Sequence, residues 1–188
     1  GENTRARILG ISTGVLSVGF LSPWYWAGSG FQALRWSFQD VLWILTDGLS
    51  LYSEWEMTPL DYIQWLMGPL LPLVFVTTFV LTWYTFQFSN HSQQEHEEFS
   101  RKASTFHLSF FGVWYLLSIS QWGLFFPDSY NYGLWIAAAS GIGLHPTVYG
   151  LVELEVLDEE DIAYLGEARN AEDEAAWLDE MQFPGNLP

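Results

Sequence analysis

"FQALRWSFQDVLWILTDGLSLY", Phe31 to Tyr52, decides the architecture of this chain, because it reads either as a fifth membrane crossing or as a helix lying flat. Phe31, Leu34, Phe38, Val41, Leu45, Leu49 and Tyr52 recur at helical spacing, while Arg35, Gln39, Thr46, Ser50 and Ser53 collect away from them. Asp40 and Asp47 add charge to the same segment. The pattern predicts an amphipathic helix over 31–52, in the interface plane or packed over a bundle.

A hydrocarbon core about 30 Å thick takes roughly 20 apolar residues in helix. Four other segments meet that test: 8–27, 60–88, 103–126 and 132–152. The second is overlong and holds Pro69 and Pro72, which predict a kink. The fold expected is an all-α integral membrane protein with four transmembrane helices. Residues 28–59 form an outer cap around the amphipathic helix, and 127–131 form an outer loop. Residues 1–7, 89–102 and 153–188 lie on the cytoplasmic side.

Charge tests this topology, because cytoplasmic loops are enriched in Lys and Arg. With four spans and the N-terminus inside, Arg5, Arg7, Arg101, Lys102 and Arg169 are cytoplasmic and Arg35 alone is outside. A fifth span would move Arg101, Lys102 and Arg169 to the outer side. The aromatics agree, since Trp and Tyr favour the headgroup level. Trp24, Tyr25, Trp26, Trp36, Trp43, Trp55, Tyr62, Trp65, Trp122, Tyr130, Tyr132 and Trp135 gather near the outer face, with Trp83, Tyr84 and Tyr149 at the inner one. Arg5 and Arg7 before an apolar run also suggest a signal peptide. The bulky Trp24–Tyr25–Trp26 before "AGSG" is a poor cleavage context, so the run is read as a retained span.

Composition narrows the chemistry. The 188 residues carry 18% aromatics but a formal net charge of −16, and 12 of the 22 acidic residues lie after Val152. Six cations in all exclude the clustered Lys and Arg that nucleic-acid binding needs. The absence of cysteine excludes disulfides, thiolate metal sites and cysteine nucleophiles. Abundant carboxylates with a single lysine match the composition of salt-accumulating halophiles, and a haloarchaeal source, cellular or viral, is the expectation. The acidic tail holds two short helical patterns, whose apolar residues Ile162, Leu165, Trp177, Leu178 and Met181 need a surface to bury against.

Four histidines are the candidates for chemistry. His91 and His96, with Glu95, Glu97 and Glu98 beside them, offer ligands of the type that hold a divalent metal. A spacing of five does not stack two side chains on one helix face, so a solvated loop is the preferred reading. His107 and His145 lie in the third and fourth spans, where ionisable groups are costly and usually functional. Counted from the outer hairpin, their depths differ by roughly 9 Å, which disfavours a haem held between them. His107 is read as hydrated near the inner interface.

His145 precedes Pro146, which cannot donate to the Ile142 carbonyl. The imidazole is read as a donor for that orphaned oxygen, or for a group on another helix. Ser140, Gly141, Gly143 and Pro146 give the fourth span a small-residue face for helix packing. Neither a phosphate loop nor a nucleophile elbow is present.

The expectation is a non-catalytic membrane accessory or scaffold subunit, placed in the bilayer and assembled with other membrane subunits or with copies of itself. The alternative is an electron-transfer or ion-conducting protein using His107 and His145, with haem, a metal or a quinone as ligand, and a third reading has the outer aromatic cap bind a lipid, quinone or carotenoid.

Overall fold

The computed structural model describes residues 2–24, 28–48, 50, 54–87, 93–122 and 131–152. Every regular element among them is helical: α1 (Glu2–Leu21), α2 (Gly30–Thr46), α3 (Pro59–Gln87), α4 (Gln93–Trp122) and α5 (Tyr132–Ala139). α5 continues as a tight 3₁₀ turn, Ser140–Leu144, and a further helical stretch covers 146–152.

Local sequence explains the starts. The Ser29 hydroxyl caps α2 by accepting the Gln32 N–H at 3.2 Å. At the start of α3, Thr58 and Asp61 form a capping box: Asp61 Oδ2 accepts the Thr58 N–H at 2.9 Å, and Thr58 Oγ1 accepts the Asp61 N–H at 3.2 Å. Pro59 occupies the first helical position, where its missing N–H costs nothing. α3 runs on through Pro69 and Pro72, both buried against the bundle.

α1, α3, α4 and the broken α5 form a ring of antiparallel neighbours. Cross-helix partners fix the directions: Thr78 meets His107 across α3 and α4, Ser104 meets Gly141 across α4 and the 3₁₀ turn, and Thr13 meets Trp83 across α1 and α3. α1 closes the ring against α5 at a crossing of bare backbone. A Cβ on Gly19 would stand 2.6 Å from the Ala137 nitrogen, and one on Gly133 would stand 2.7 Å from the Gly19 oxygen. Only glycine fits at such a separation. α2 lies outside the ring against α1 and α3.

α2 splits the face predicted for it: Leu34 packs against the core and Val41 is half-buried, and Arg35, Gln39, Thr46 and Ser50 are exposed as expected. Gly30, Ala33, Ser37 and Ile44 are buried, while Phe31, Phe38 and Leu45 point outward, Phe38 to 73% of its full exposure. The reason is distance: a Cβ on Gly30 would come within 2.7 Å of the Phe20 Cα, so the contact admits small side chains only. Ser37 tolerates burial by donating to the Ala33 carbonyl at 2.7 Å. Trp24, placed by its sequence in an outer aromatic belt, is instead folded into the core. Its indole N–H donates to the Gly19 carbonyl at 2.9 Å.

Only α3, among the described helices, is long and apolar enough to cross a membrane by length and composition. The fourth expected span is divided by the 3₁₀ turn into shorter pieces, and the third begins earlier than expected, on the polar residues 93–102.

Candidate functional site

The candidate site is a polar seam between α4 and the break in α5. Ser100, Ser104 and His107 occupy successive turns of one face of α4. Each bonds to a carbonyl of the broken helix. Ser100 Oγ donates to Leu144 O at 2.5 Å, Ser104 Oγ donates to Gly141 O at 2.7 Å, and His107 Nε2 lies 3.0 Å from Ala137 O. The Tyr149 hydroxyl reaches Leu144 O as well, at 3.3 Å. All four side chains are buried.

His107 is fully enclosed, which corrects its reading as a hydrated residue near an interface. The Ala137 carbonyl can only accept, so Nε2 carries the hydrogen. Nδ1 then faces the Thr78 hydroxyl at 2.9 Å and shares its single hydrogen with the Phe75 carbonyl, 3.0 Å from the same oxygen. The ring stacks on Phe75 at 4.2 Å and meets the edge of Phe79 at 5.8 Å. A Cβ on Gly141 would fall 2.4 Å from the His107 ring, so the glycine is what admits the imidazole. With both nitrogens occupied by protein groups, a metal or haem iron would have to displace one of them.

His145 does not share this level. Its extended backbone, φ −75° and ψ 131°, suits the residue before a proline. The Ile142 carbonyl is not orphaned, because the backbone N–H of His145 donates to it at 3.0 Å in a tightened turn. The expected imidazole donor is therefore not needed there. Nδ1 of His145 instead accepts the Thr147 N–H at 3.2 Å, capping the helical stretch that starts at Pro146. Of the predicted packing residues, Ser140 donates to Ala137 O at 2.6 Å, Gly141 meets His107, Gly143 meets Ser12, and Pro146 opens the last stretch.

A second cluster closes the Arg5 end of the bundle. His96 lies on α4 and is buried, where the sequence suggested a solvated loop. Its Nδ1 bonds to Thr85 Oγ1 at 3.1 Å, and its Nε2 has no hydrogen-bond partner. Burial first, and then the Arg5 guanidinium, hold the imidazole below its usual range. Arg5 pairs with Glu97. The Glu97 carboxyl is held low chiefly by the Gln93 amide at 3.1 Å and secondarily by Arg5, against the opposing effect of burial. No group of three or more metal-type ligands occurs among the described residues. His91 and the tail residues Ile162, Leu165, Trp177, Leu178 and Met181 lie outside them.

Between the seam and the far end of the bundle the core is aromatic, with Trp24, Phe75, Phe111 and Trp114 buried together. The outer surface is apolar too: Ile11, Val18, Leu21, Leu116 and Leu151 are all more than half exposed. On α1, Gly10 and Gly14 are exposed and have no atom within 4 Å of an added Cβ. Their G-x-x-x-G spacing in "GISTG" was legible as a helix-docking pattern but was not singled out, whereas the fourth span's small residues were. The serine and histidine spacing on α4 was equally legible.

No known family model matches the chain, and neither a curated protein nor a solved structure does.

Proposed function

We propose that this chain is a four-pass membrane protein acting as a non-catalytic scaffold subunit of a larger membrane assembly, in a halophilic cell or its virus. The observation that carries the reading is the distribution of polarity. Ser12, Thr78, Thr82, Ser100, Ser104, His107 and Ser140 are buried, while leucines, valines and phenylalanines face outward. Water would drive the opposite arrangement, whereas lipid accepts an apolar exterior and requires backbone carbonyls to be satisfied inside. In this reading α1, α3, α4 and the α5 rod cross the bilayer, with Arg5 and residues 93–102 at the cytoplasmic side and α2 on the outer face.

The scaffold role is supported by the use made of the interior. The buried His107 is committed to holding helices together through both ring nitrogens, and Ser100 and Ser104 likewise engage carbonyls. The open Gly10 and Gly14 then offer a lipid-facing stripe where another helix can approach closely.

The absence of native cysteine makes the topology test clean. A membrane-impermeant maleimide should label Glu54→Cys in intact vesicles or cells, and Gln94→Cys only after permeabilisation. Labelling of both from the same side overturns the four-pass reading. For the scaffold role, the wild-type chain should migrate in a larger complex after mild solubilisation, and Gly14→Leu should release it without lowering its thermal stability. A wild-type chain that runs as a monomer and retains no other protein overturns it.

A further inference from the structure

Between α3 and α4 an open groove of about 360 Å³ runs along the outer surface, walled by Leu73, Val74, Leu81, Phe99 and Phe106. Its lining is almost wholly carbon, apart from Lys102 at one end, the only lysine in the chain. From Leu73 to Leu81 the groove extends about 12 Å at 1.5 Å per residue. Apolar walls with an ammonium beside them match an acyl chain joined to an anionic headgroup.

We infer that this groove binds one acyl chain of an anionic phospholipid, with Lys102 holding the headgroup phosphate. The inference rests on the membrane reading above, which places Lys102 at the inner headgroup level. An ammonium has three N–H donors. One serves the Glu98 carboxylate at 2.7 Å, and the side chain is otherwise open to solvent, so donors remain for a phosphate. Arg101, adjacent and also exposed, adds to the positive potential. Glu98 is the opposing charge: it competes for Lys102 and sets how strongly the site holds an anion.

The test is native mass spectrometry of the full chain in mild detergent, titrated with phosphatidylglycerol or with phosphatidylcholine of identical chains. Wild type should retain one phosphatidylglycerol with about a fivefold preference, the increment expected of one lysine at an anionic headgroup. Lys102→Gln should abolish the preference, and Glu98→Gln should raise it. Thr77→Trp, placed at the exposed rim of the groove, should lower retention of both lipids. Equal retention of the two lipids by wild type, or a preference that survives Lys102→Gln, overturns the site. So does a Thr77→Trp variant that sheds a protein partner while keeping the lipid.

Flotation with zwitterionic vesicles separates the two proposals. A chain that floats but shows no headgroup preference refutes the lipid site alone. A chain that does not float refutes the membrane reading and the site together.

Discussion

The His107 Nε2–H donates to the Ala137 carbonyl at 3.0 Å, and the same oxygen accepts the Ser140 hydroxyl at 2.6 Å. A carbonyl has two lone pairs, so both donors are accommodated. The pair joins α4 to α5 at the level where α5 gives way to the 3₁₀ turn, and Thr78 extends the connection to α3. Three rods thus meet at one imidazole.

Removing the far end of that connection should be costly. Thr78→Val keeps the side-chain shape but leaves Nδ1 of His107 buried without a donor, at a cost of about 1–3 kcal/mol. Thermal unfolding in detergent measures it. The absorbance spectrum of the purified protein should show no Soret band in wild type or in His107→Gln. A Soret band lost in the variant would return His107 to the role of ligand.

Backbone crossings should be the least tolerant positions. Gly133→Ala places a methyl 2.7–2.8 Å from the oxygens of Gly19 and Pro23, which are backbone atoms with no freedom to rotate away. The expected loss is about 1–3 kcal/mol. Gly10→Ala meets nothing and should gain up to about 1 kcal/mol from helix propensity. Paired unfolding curves of the two variants, each against wild type, check the contrast.

At His145 a cap and a ligand predict different substitution patterns. His145→Ala should cost about 1 kcal/mol, and His145→Asn or His145→Ser should restore most of it, because either side chain can accept the Thr147 N–H. Restored stability in those variants is the outcome that a metal or haem ligand would not give.

Acid should loosen the Arg5 end of the bundle. His96 and Glu97 both titrate below their usual ranges in the folded chain. Their contributions are therefore fully present above the unfolded values, near 6.5 for His and 4.3 for Glu, and are lost as pH falls through the lower folded values. Unfolding temperature in detergent should be flat from pH 8 to 7 and then decline, first as His96 is forced to protonate and later as Glu97 does. His96→Phe should make the earlier decline shallower, with the buried His107 accounting for what remains, and Glu97→Gln should reduce the later one.

The helical class was legible from periodicity and His107 from residue type, but its sequence partner was His145, while Ser140 stood only among the small packing residues. The orientation of α2 was legible only in part, because its apolar residues were taken as one face, whereas Leu34 packs inward and Phe31 and Phe38 do not. Where the surroundings are themselves apolar or the contact is close, small residues pack and large ones face out. Ala33 and Ser37 against Phe31 and Phe38 show that reversal. The depth of His107 was missed for another reason. The polar residues Gln93 to Lys102 were read as a loop, but they begin α4 and carry His107 about four turns into the bundle. Nor could spacing reveal that Gly19 faces Gly133, since that depends on how two helices rotate against each other.

The Gly19–Gly133 crossing bears on how the chain is made. The surface of α1 that fits so closely has no mate in α2 or α3, and its counterpart emerges from the ribosome roughly a hundred residues later, on the order of ten seconds at usual elongation rates. Through that interval the surface of α1 around Gly19 is without its counterpart. Its final seat is taken only when the last rod arrives, so synthesis halted before α5 should leave an open ring, a substrate for quality-control proteases rather than a smaller stable protein.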